Sequence, residues 1–360
     1  MLKVNIRPHW EISFGAQPAL DTAALLGLLL GIQDTGSITQ AAKAVKLSYR
    51  YAWGLLREAE TLFGESLLTT GRGRGTSLTP LAQKLVWADR RISARLSPTL
   101  DSLASELESE LGKITTEKLR KIRMDASHGF AVAALMVHLN KVELPVELRY
   151  RNSTDAVAAL SRRECDLAGF HVPTGEFEQQ MLDIYLRWLD PAQHCLIHLA
   201  VRDQGLFVAP GNPLGITGVA DLVRPEVRFV NRQNGSGTRM LLSLMLNAAG
   251  VSCQRIAGFH NAEFTHSAVA AYIASGMADV GIGVRTAAQR FNLDFIPLVR
   301  ERYFFALPIA AVQEPLMRQM IAVLQLAEYH QVVDKLTGYD AADTGRILSL
   351  EEAFGPGRAG

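Results

Sequence analysis

A chain of 360 residues, 48% hydrophobic, 20% charged and with a formal net charge of only +1, has ordinary globular composition; this excludes a disordered tail-like protein and suits two or three domains. Cys165, Cys195 and Cys253 are scattered, with no Cys-x-x-Cys pair, which argues against a disulfide scaffold or cysteine metal site and for a reducing compartment. Met1 to Trp10 lacks the apolar core of a signal peptide, and the longest apolar stretch, around Ala23 to Ile32, is too short to span a bilayer, so a cytoplasmic location without membrane attachment is expected.

In chain order, Ala23 to Ile32 reads as a first core helix. Ile38, Ala41, Ala42 and Val45 follow helical spacing and define a short second one. Lys46-Leu47 forms a corner, and Ser48 is the expected N-cap of a third helix that packs Tyr51, Leu55 and Leu56 inward. This pattern is a helix-turn-helix, whose second helix meets base edges and phosphates with its first turn. The expected DNA contacts are Ser37, Thr39, Ser48, Tyr49 and Arg50. Residues 65–79 then read as a wing: Glu65 to Thr70 and Thr76 to Thr79 are strand-like, around Gly71-Arg72-Gly73-Arg74-Gly75. Alternate glycines permit a sharp turn, and Arg72 and Arg74 at its tip are expected on a phosphate or in a narrow minor groove. Between Thr39 and Arg91 nine Lys/Arg face four Asp/Glu, a balance of +5 against −4 for the rest of the chain. Positive charge is therefore concentrated where DNA would lie. An amphipathic helical pair with a solvated hairpin is the bland alternative; the basic tip favours DNA.

From Pro80, Leu81, Leu85, Ile92, Leu96, Leu100, Leu103, Leu107 and Leu111 line one helical stripe with charged flanks. Residues 80–112 are expected to form a linker helix that pairs two copies, a homodimer and by further association a tetramer; packing on its own domain is the alternative. Pro98 is expected to kink or divide this helix, and Gly112 to stop it.

After residue 118 the pattern changes to strand-helix alternation. Strands are expected at Leu119 to Met124, Val146 to Tyr150 and Asp166 to His171, with helices at Gly129 to Asn140 and Ala156 to Arg163. A second set has strands at Val227 to Asn231, Ile256 to Phe259 and Ala278 to Val284, and helices at Thr238 to Ala249 and Ser267 to Ser275. Such spacing indicates parallel βαβ units. The apolar runs His194 to Val201 and Leu206 to Ala209 are expected to cross between two α/β lobes, and Asp279 to cap a turn. The fold class is thus α/β multidomain: a winged helix-turn-helix (1–91), a linker helix (80–112) and a two-lobed sensor (118–350).

Two resemblances add to this reading. Gly36-Ser37-Ile38, Ala41-Ala42-Lys43, Ser48-Tyr49-Arg50, Ala52-Trp53 and Leu78-Thr79-Pro80 resemble the winged-helix domain of ModE-type molybdate regulators, within the LysR superfamily. That resemblance implies a dimer reading a two-fold symmetric operator. No region looks like the small β-barrel repeats with which ModE proteins bind molybdate. Gln204 to Pro213, Asn231 to Arg239, Thr265 to Ala270, Gly281-Ile282-Gly283, Tyr339-Asp340 and Thr344-Gly345 resemble instead a bacterial family of periplasmic-binding-protein-like (type 2) domains. That family is commonly linked to molybdenum metabolism.

In a two-lobed sensor the cleft is lined where helices begin, and helix N-termini favour anions. Four loops are candidates: Ser127-His128, Ser153-Thr154, Asn234-Gly235-Ser236-Gly237-Thr238 with Arg239, and Thr265-His266. Any one of these hydroxyls taken singly is better read as a simple helix cap, Arg239 equally as a surface ion pair, and each histidine more often as a satisfied structural group. Their convergence in one cleft would favour a small oxyanion, molybdate or tungstate first, formate or another small carboxylate second. No metalloprotease, hydrolase-elbow or P-loop motif and no suggestive acid pair occurs, so no enzyme, no metal and no cofactor is expected. The chain reads as a ligand-responsive transcription regulator; the alternative is a molybdenum-cofactor or small-anion binding protein whose N-terminal domain contacts proteins.

Overall fold

Asp21 opens the first helix, α1 (Thr22–Thr35), its carboxylate accepting the Ala24 N–H at 3.1 Å, and Gly36 closes it in the left-handed conformation at φ 66. The computed structural model describes residues 3–13, 19–71, 75–115 and 120–355. They divide into two units, Arg7–Leu96 and Ser97–Gly360 with Met1–Ile6.

In the first unit α2 (Ile38–Ala44) lies directly on α1, because a Cβ on Gly31 would come within 2.8 Å of the Ala41 Cβ. Lys46, at φ 58, turns the chain into α3 (Tyr49–Phe63), which Ser48 caps at the Tyr51 N–H. Leu25, Leu28, Leu29, Ile32, Ala41, Ala52 and Leu56 form the core. Tyr51, expected to pack inward, is exposed: the buried stripe of α3 is Ala52, Leu55, Leu56 and Ala59, one position out of phase with it, and its hydroxyl reaches Asp21 instead. The strands β1 (Leu68–Gly71) and β2 (Gly75–Leu78) pair antiparallel; Arg72 and Arg74 lie outside the described residues. Gly31→Val should destabilise this unit by about 1–3 kcal/mol through overpacking, measurable as a lowered denaturant midpoint; an unchanged midpoint would mean the α1–α2 contact is loose.

Helix α4 (Pro80–Thr115) is continuous. Pro98 does not divide it and Gly112 does not stop it, contrary to expectation. Packing holds the C-terminal half: Ser102 and Ser105 accept the backbone N–H groups of Tyr150 and Leu148 at 2.9 and 3.0 Å. This contact covers the free edge of a sheet.

In the second unit the elements follow in chain order: β3 (Ile122–Ala126), α5 (Phe130–Lys141), β4 (Val146–Tyr150), α6 (Ser153–Ser161), β5 (Leu167–Pro173) and α7 (Glu178–Tyr185). Then come β6 (His194–Val208), β7 (Phe229–Arg232), α8 (Gly237–Ala248), β8 (Ala262–Glu263), α9 (His266–Ala274), β9 (Val280–Val284) and α10 (Arg285–Arg290). The unit ends with β10 (Asp294–Pro308), α11 (Pro315–Leu324), α12 (Ala327–Asp334), β11 (Tyr339–Asp340), β12 (Ile347–Ser349) and α13 (Leu350–Phe354). The sheet order is β4-β3-β5-β10-β6-β9-β7-β8. Parallel β4-β3-β5 forms one lobe and parallel β9-β7-β8 the other, joined by the antiparallel 15-residue strands β6 and β10. The two apolar runs expected to cross between lobes are therefore a single strand, and β10 escaped the sequence pattern. Its register shifts between Pro297 and Val299 and between Tyr303 and Phe304, irregularities that bend such strands. Met124, Leu135, Phe305, Met320 and Tyr329 fill one lobe; Leu206, Phe229, Leu242 and Ile282 fill the other.

Ile256 to Phe259 is not a strand. Gly258 sits at φ 87, with the Phe229 carbonyl oxygen only 2.2 Å from where its Cβ would be, so the chain turns there and pairing begins at Ala262. Asp279 does not cap a turn but accepts the Arg228 N–H and guanidinium at 2.9 and 2.7 Å. Among the described residues no helix is long and apolar enough to cross a membrane, and no group of three His, Cys, Asp or Glu side chains is placed to hold a metal ion.

Candidate functional site

The exposed face of α3 is the first candidate. Thr39, Tyr49 and Arg50 are exposed, whereas the Ser37 and Ser48 hydroxyls accept the Gln40 and Tyr51 N–H groups as caps. Along the helix Tyr49 meets Trp53 edge-on with centroids 6.3 Å apart, and the Arg57 guanidinium lies 5.9 Å from the Trp53 ring. Spacing of four residues places these three in one row. Trp53 and Arg57 were absent from the expected contacts; a 3.6-residue period carried on from Tyr49 would have found them. Gly54, where a Cβ would meet nothing within 4 Å, leaves the face low beside the row.

The second candidate lies between the lobes of the other unit, where four helices begin. The N-caps are Gly129 for α5, Asn152 for α6, Ser236 for α8 and Thr265 for α9. Ser127 and Ser153 bracket His171 of β5: the Ser153 Oγ is 3.2 Å from Nδ1 and the Ser127 Oγ 3.5 Å from Nε2. Gly237, in the first turn of α8, brings the second lobe against this pair, since a Cβ there would be 3.5 Å from the His171 Cβ and 3.6 Å from the Ser153 Oγ. Beside it Gly235 (φ 76) offers its carbonyl to the Thr154 hydroxyl at 3.4 Å. Ser236 and Thr265 use their hydroxyls as helix caps, Thr238 is buried in the first turn of α8, and Asn234 is exposed.

Charge at this point comes from arginines that the sequence pattern did not single out. Arg239, the expected oxyanion ligand, bonds the Arg232 carbonyl at 3.0 Å and lies over the Phe259 ring. Arg232, at the end of β7, is 3% exposed. Its Nη1 is 2.9 Å from the His266 ring nitrogens, its Nη2 donates to the Phe264 carbonyl at 2.7 Å, and its Nε has no partner among the described residues. None of these bonds reaches a carboxylate. Burial, then the charge of Arg202, pulls its pKa down to about 9, against the pull of Glu301. Arg202 of β6, by contrast, is buried against Glu301 of β10 at 2.6 Å. Burial and then Arg232 and Arg290 push the His128 imidazole down to about 4. His171 and His266 are likewise held well below the ordinary histidine range by burial and by Arg202 and Arg232. At neutral pH the buried part of the cleft therefore holds three neutral imidazoles, one paired arginine and one arginine without a counter-ion among the described residues, while Arg290 is exposed. A buried cation in that state favours an anion that can accept from its fork.

Residues 134–325, over half of the chain, match the family described as the PBP superfamily domain, and residues 24–83 match the bacterial regulatory helix-turn-helix protein, lysR family. An uncharacterized protein, YvgK, of Bacillus subtilis (strain 168) is 31% identical over 226 residues, 62% of this chain and 73% of that one. The molybdenum-pterin-binding protein MopB of Rhodobacter capsulatus is 31% identical over 39% of this chain and 53% of its own length. The molybdenum transport protein ModE of Azotobacter vinelandii is 27% identical over 39% and 55% respectively. The chain spans about half the length of these last two relatives.

Proposed function

This chain belongs to the PBP superfamily domain family and carries a lysR-family helix-turn-helix, and we propose that it is a transcription regulator whose operator binding responds to a small oxyanion held between its sensor lobes. One observation carries the ligand class: Arg232 is buried without a carboxylate at a point where four helix N-termini meet. Ser127, Ser153 and the backbone of Gly237 supply further donors. Molybdate or tungstate is the leading candidate and formate the second, a choice supported by the molybdenum-related names of MopB and ModE. An anion bridging both lobes would favour the closed arrangement and, through α4, bias the spacing of two paired winged helices on DNA. The functional assignment of residues 1–91 to operator binding, 80–112 to pairing and 118–350 to sensing follows from this reading, as does a cytoplasmic location.

The test is titration calorimetry of the full-length protein with molybdate, tungstate, sulfate and formate, beside gel shifts on the DNA upstream of its own gene with and without the anion that binds. Binding of none of the four would overturn the oxyanion assignment. In the gel shifts Arg50→Ala should weaken DNA binding and reduce the salt slope by about one unit for its phosphate contact; an unaltered affinity and slope would remove α3 from the interface.

A further inference from the structure

We infer that the cleft sorts anions by charge: it takes a singly charged oxyanion as it stands, and a doubly charged one only together with a proton, which His171 receives. This rests on the reading of the cleft as an oxyanion site, and the experiment below separates the two.

Glu301 answers Arg202 at 2.6 Å, and Arg290, whose field reaches His128, is exposed to solvent, so among the described residues Arg232 is the buried arginine of the cleft left to balance a ligand. A singly charged anion matches it. A doubly charged anion would leave one buried negative charge without a partner, a costly arrangement that the surroundings relieve by binding a proton. Three imidazoles are within reach. His266 faces the Arg232 Nη1 at 2.9 Å, and a proton on it would set donor against donor. His128 stands in the field of both Arg232 and Arg290. His171 differs from both in having a hydroxyl at each ring nitrogen, Ser153 at Nδ1 and Ser127 at Nε2. A hydroxyl accepts as readily as it donates, so both can rotate to receive the two N–H groups of an imidazolium.

The groups acting on His171 are Arg202 on β6, Arg232 on β7, Tyr303 on β10, Tyr185 on α7 and His266 on α9; one step further out Glu301 on β10 pairs with Arg202, and His128 after β3 acts on His266. Without ligand, burial and then Arg202 and Arg232 keep it neutral. A second negative charge beside it reverses the sign of that field. The bound-state pKa of His171 then lies above its unliganded value, so proton uptake accompanies binding between the two, and affinity falls as pH rises through that window.

Tungstate and perrhenate are tetrahedral oxyanions of like size, with charges of −2 and −1. Calorimetry of the full-length protein at about pH 6, in buffers of different ionisation heat, reads the protons exchanged. The expected result is uptake of about one proton per tungstate and none per perrhenate, with tungstate affinity falling about tenfold from about pH 6 to about pH 7. Tungstate binding without proton uptake would overturn the inference while leaving the oxyanion site standing. Failure of both anions to bind would overturn the site reading itself. His171→Gln keeps a hydrogen-bonding side chain that does not titrate, and should hold perrhenate while losing most of its tungstate affinity at about pH 6, with no proton exchanged by the tungstate that still binds; uptake persisting in this variant would take the proton away from His171, and tungstate affinity equal to the natural protein's would overturn the charge rule. The buffer series on the natural protein decides the charge rule even where the variant fails to fold.

Discussion

Arg232→Met should weaken oxyanion binding by about 100-fold or more and leave the anion-free protein at least as stable as before. In the free protein Arg232 is a liability: it is buried, carries no carboxylate partner, and is held at a pKa of about 9 by burial and by Arg202. Removing it forfeits hydrogen bonds to His266 and the Phe264 carbonyl, about 1 kcal/mol each, and relieves the desolvation of an unpaired ion, of order several kcal/mol. The ligand sees the opposite balance. Two charge-assisted bonds from a guanidinium fork contribute about 1.5–3 kcal/mol each, so affinity should fall by about 100-fold or more. Denaturant unfolding without anion and calorimetry with tungstate read the two effects separately. The thermal stabilisation that saturating tungstate gives the natural protein should vanish with it. Tungstate affinity preserved within a few-fold would show that the anion sits elsewhere.

The helix-turn-helix was legible because its signals are local: Ser37 and Ser48 cap the helices they precede, and the small Ala41 and Ala52 mark close packing. Tyr51 misled because a side chain one position from the buried stripe of α3 is rotated by a quarter turn or more toward solvent. The strands of the sensor lobes were found where apolar runs are unbroken. Of the crossing strands β6 read as two separate runs and β10 was missed, because polar residues interrupt them: Arg202, Asp203 and Gln204 divide β6, and Arg300, Glu301 and Arg302 sit in the middle of β10. Those charges are tolerated inside the sheet because Arg202 meets Glu301, 99 residues away, a pairing no local pattern announces. The site divides in the same way. Hydroxyls and glycines at helix starts were visible as motifs, and Ser127, Ser153 and Gly237 do meet. His171 and Arg232 lie on strands that read as core, so burial hid both the arginine that gives the cleft its charge and the imidazole bracketed by Ser127 and Ser153. Arg239 stood out in sequence for its place beside the glycine loop, yet the Arg232 carbonyl and the Phe259 ring occupy its guanidinium.

Leu103→Glu with Leu107→Glu should split the proposed dimer and, with it, tight operator binding. The two leucines are 45% and 46% exposed, and Leu96 and Leu111 on the same helix are exposed to a similar degree. The opposite side of this stretch is already committed, through Ser102 and Ser105, to the edge of β4. The exposed halves of the leucines therefore face away from the sheet their own helix covers, and an apolar row on a long helix is what a second copy of that helix buries. With roughly half of each side chain left to bury, the row contributes about 1 kcal/mol per leucine, or about 8 kcal/mol gross over the four leucines of each copy in a two-fold pair. Two glutamates per chain remove about half of that and place like charges opposite one another across the seam. Light scattering at micromolar concentration should report the mass of one chain for the variant against two or four for the natural protein. Operator affinity should fall together with it, because a lone winged helix holds a single half-site. An unaltered solution mass would move the association surface off α4, and an unaltered operator affinity in a dissociated variant would mean that one copy suffices to hold the site.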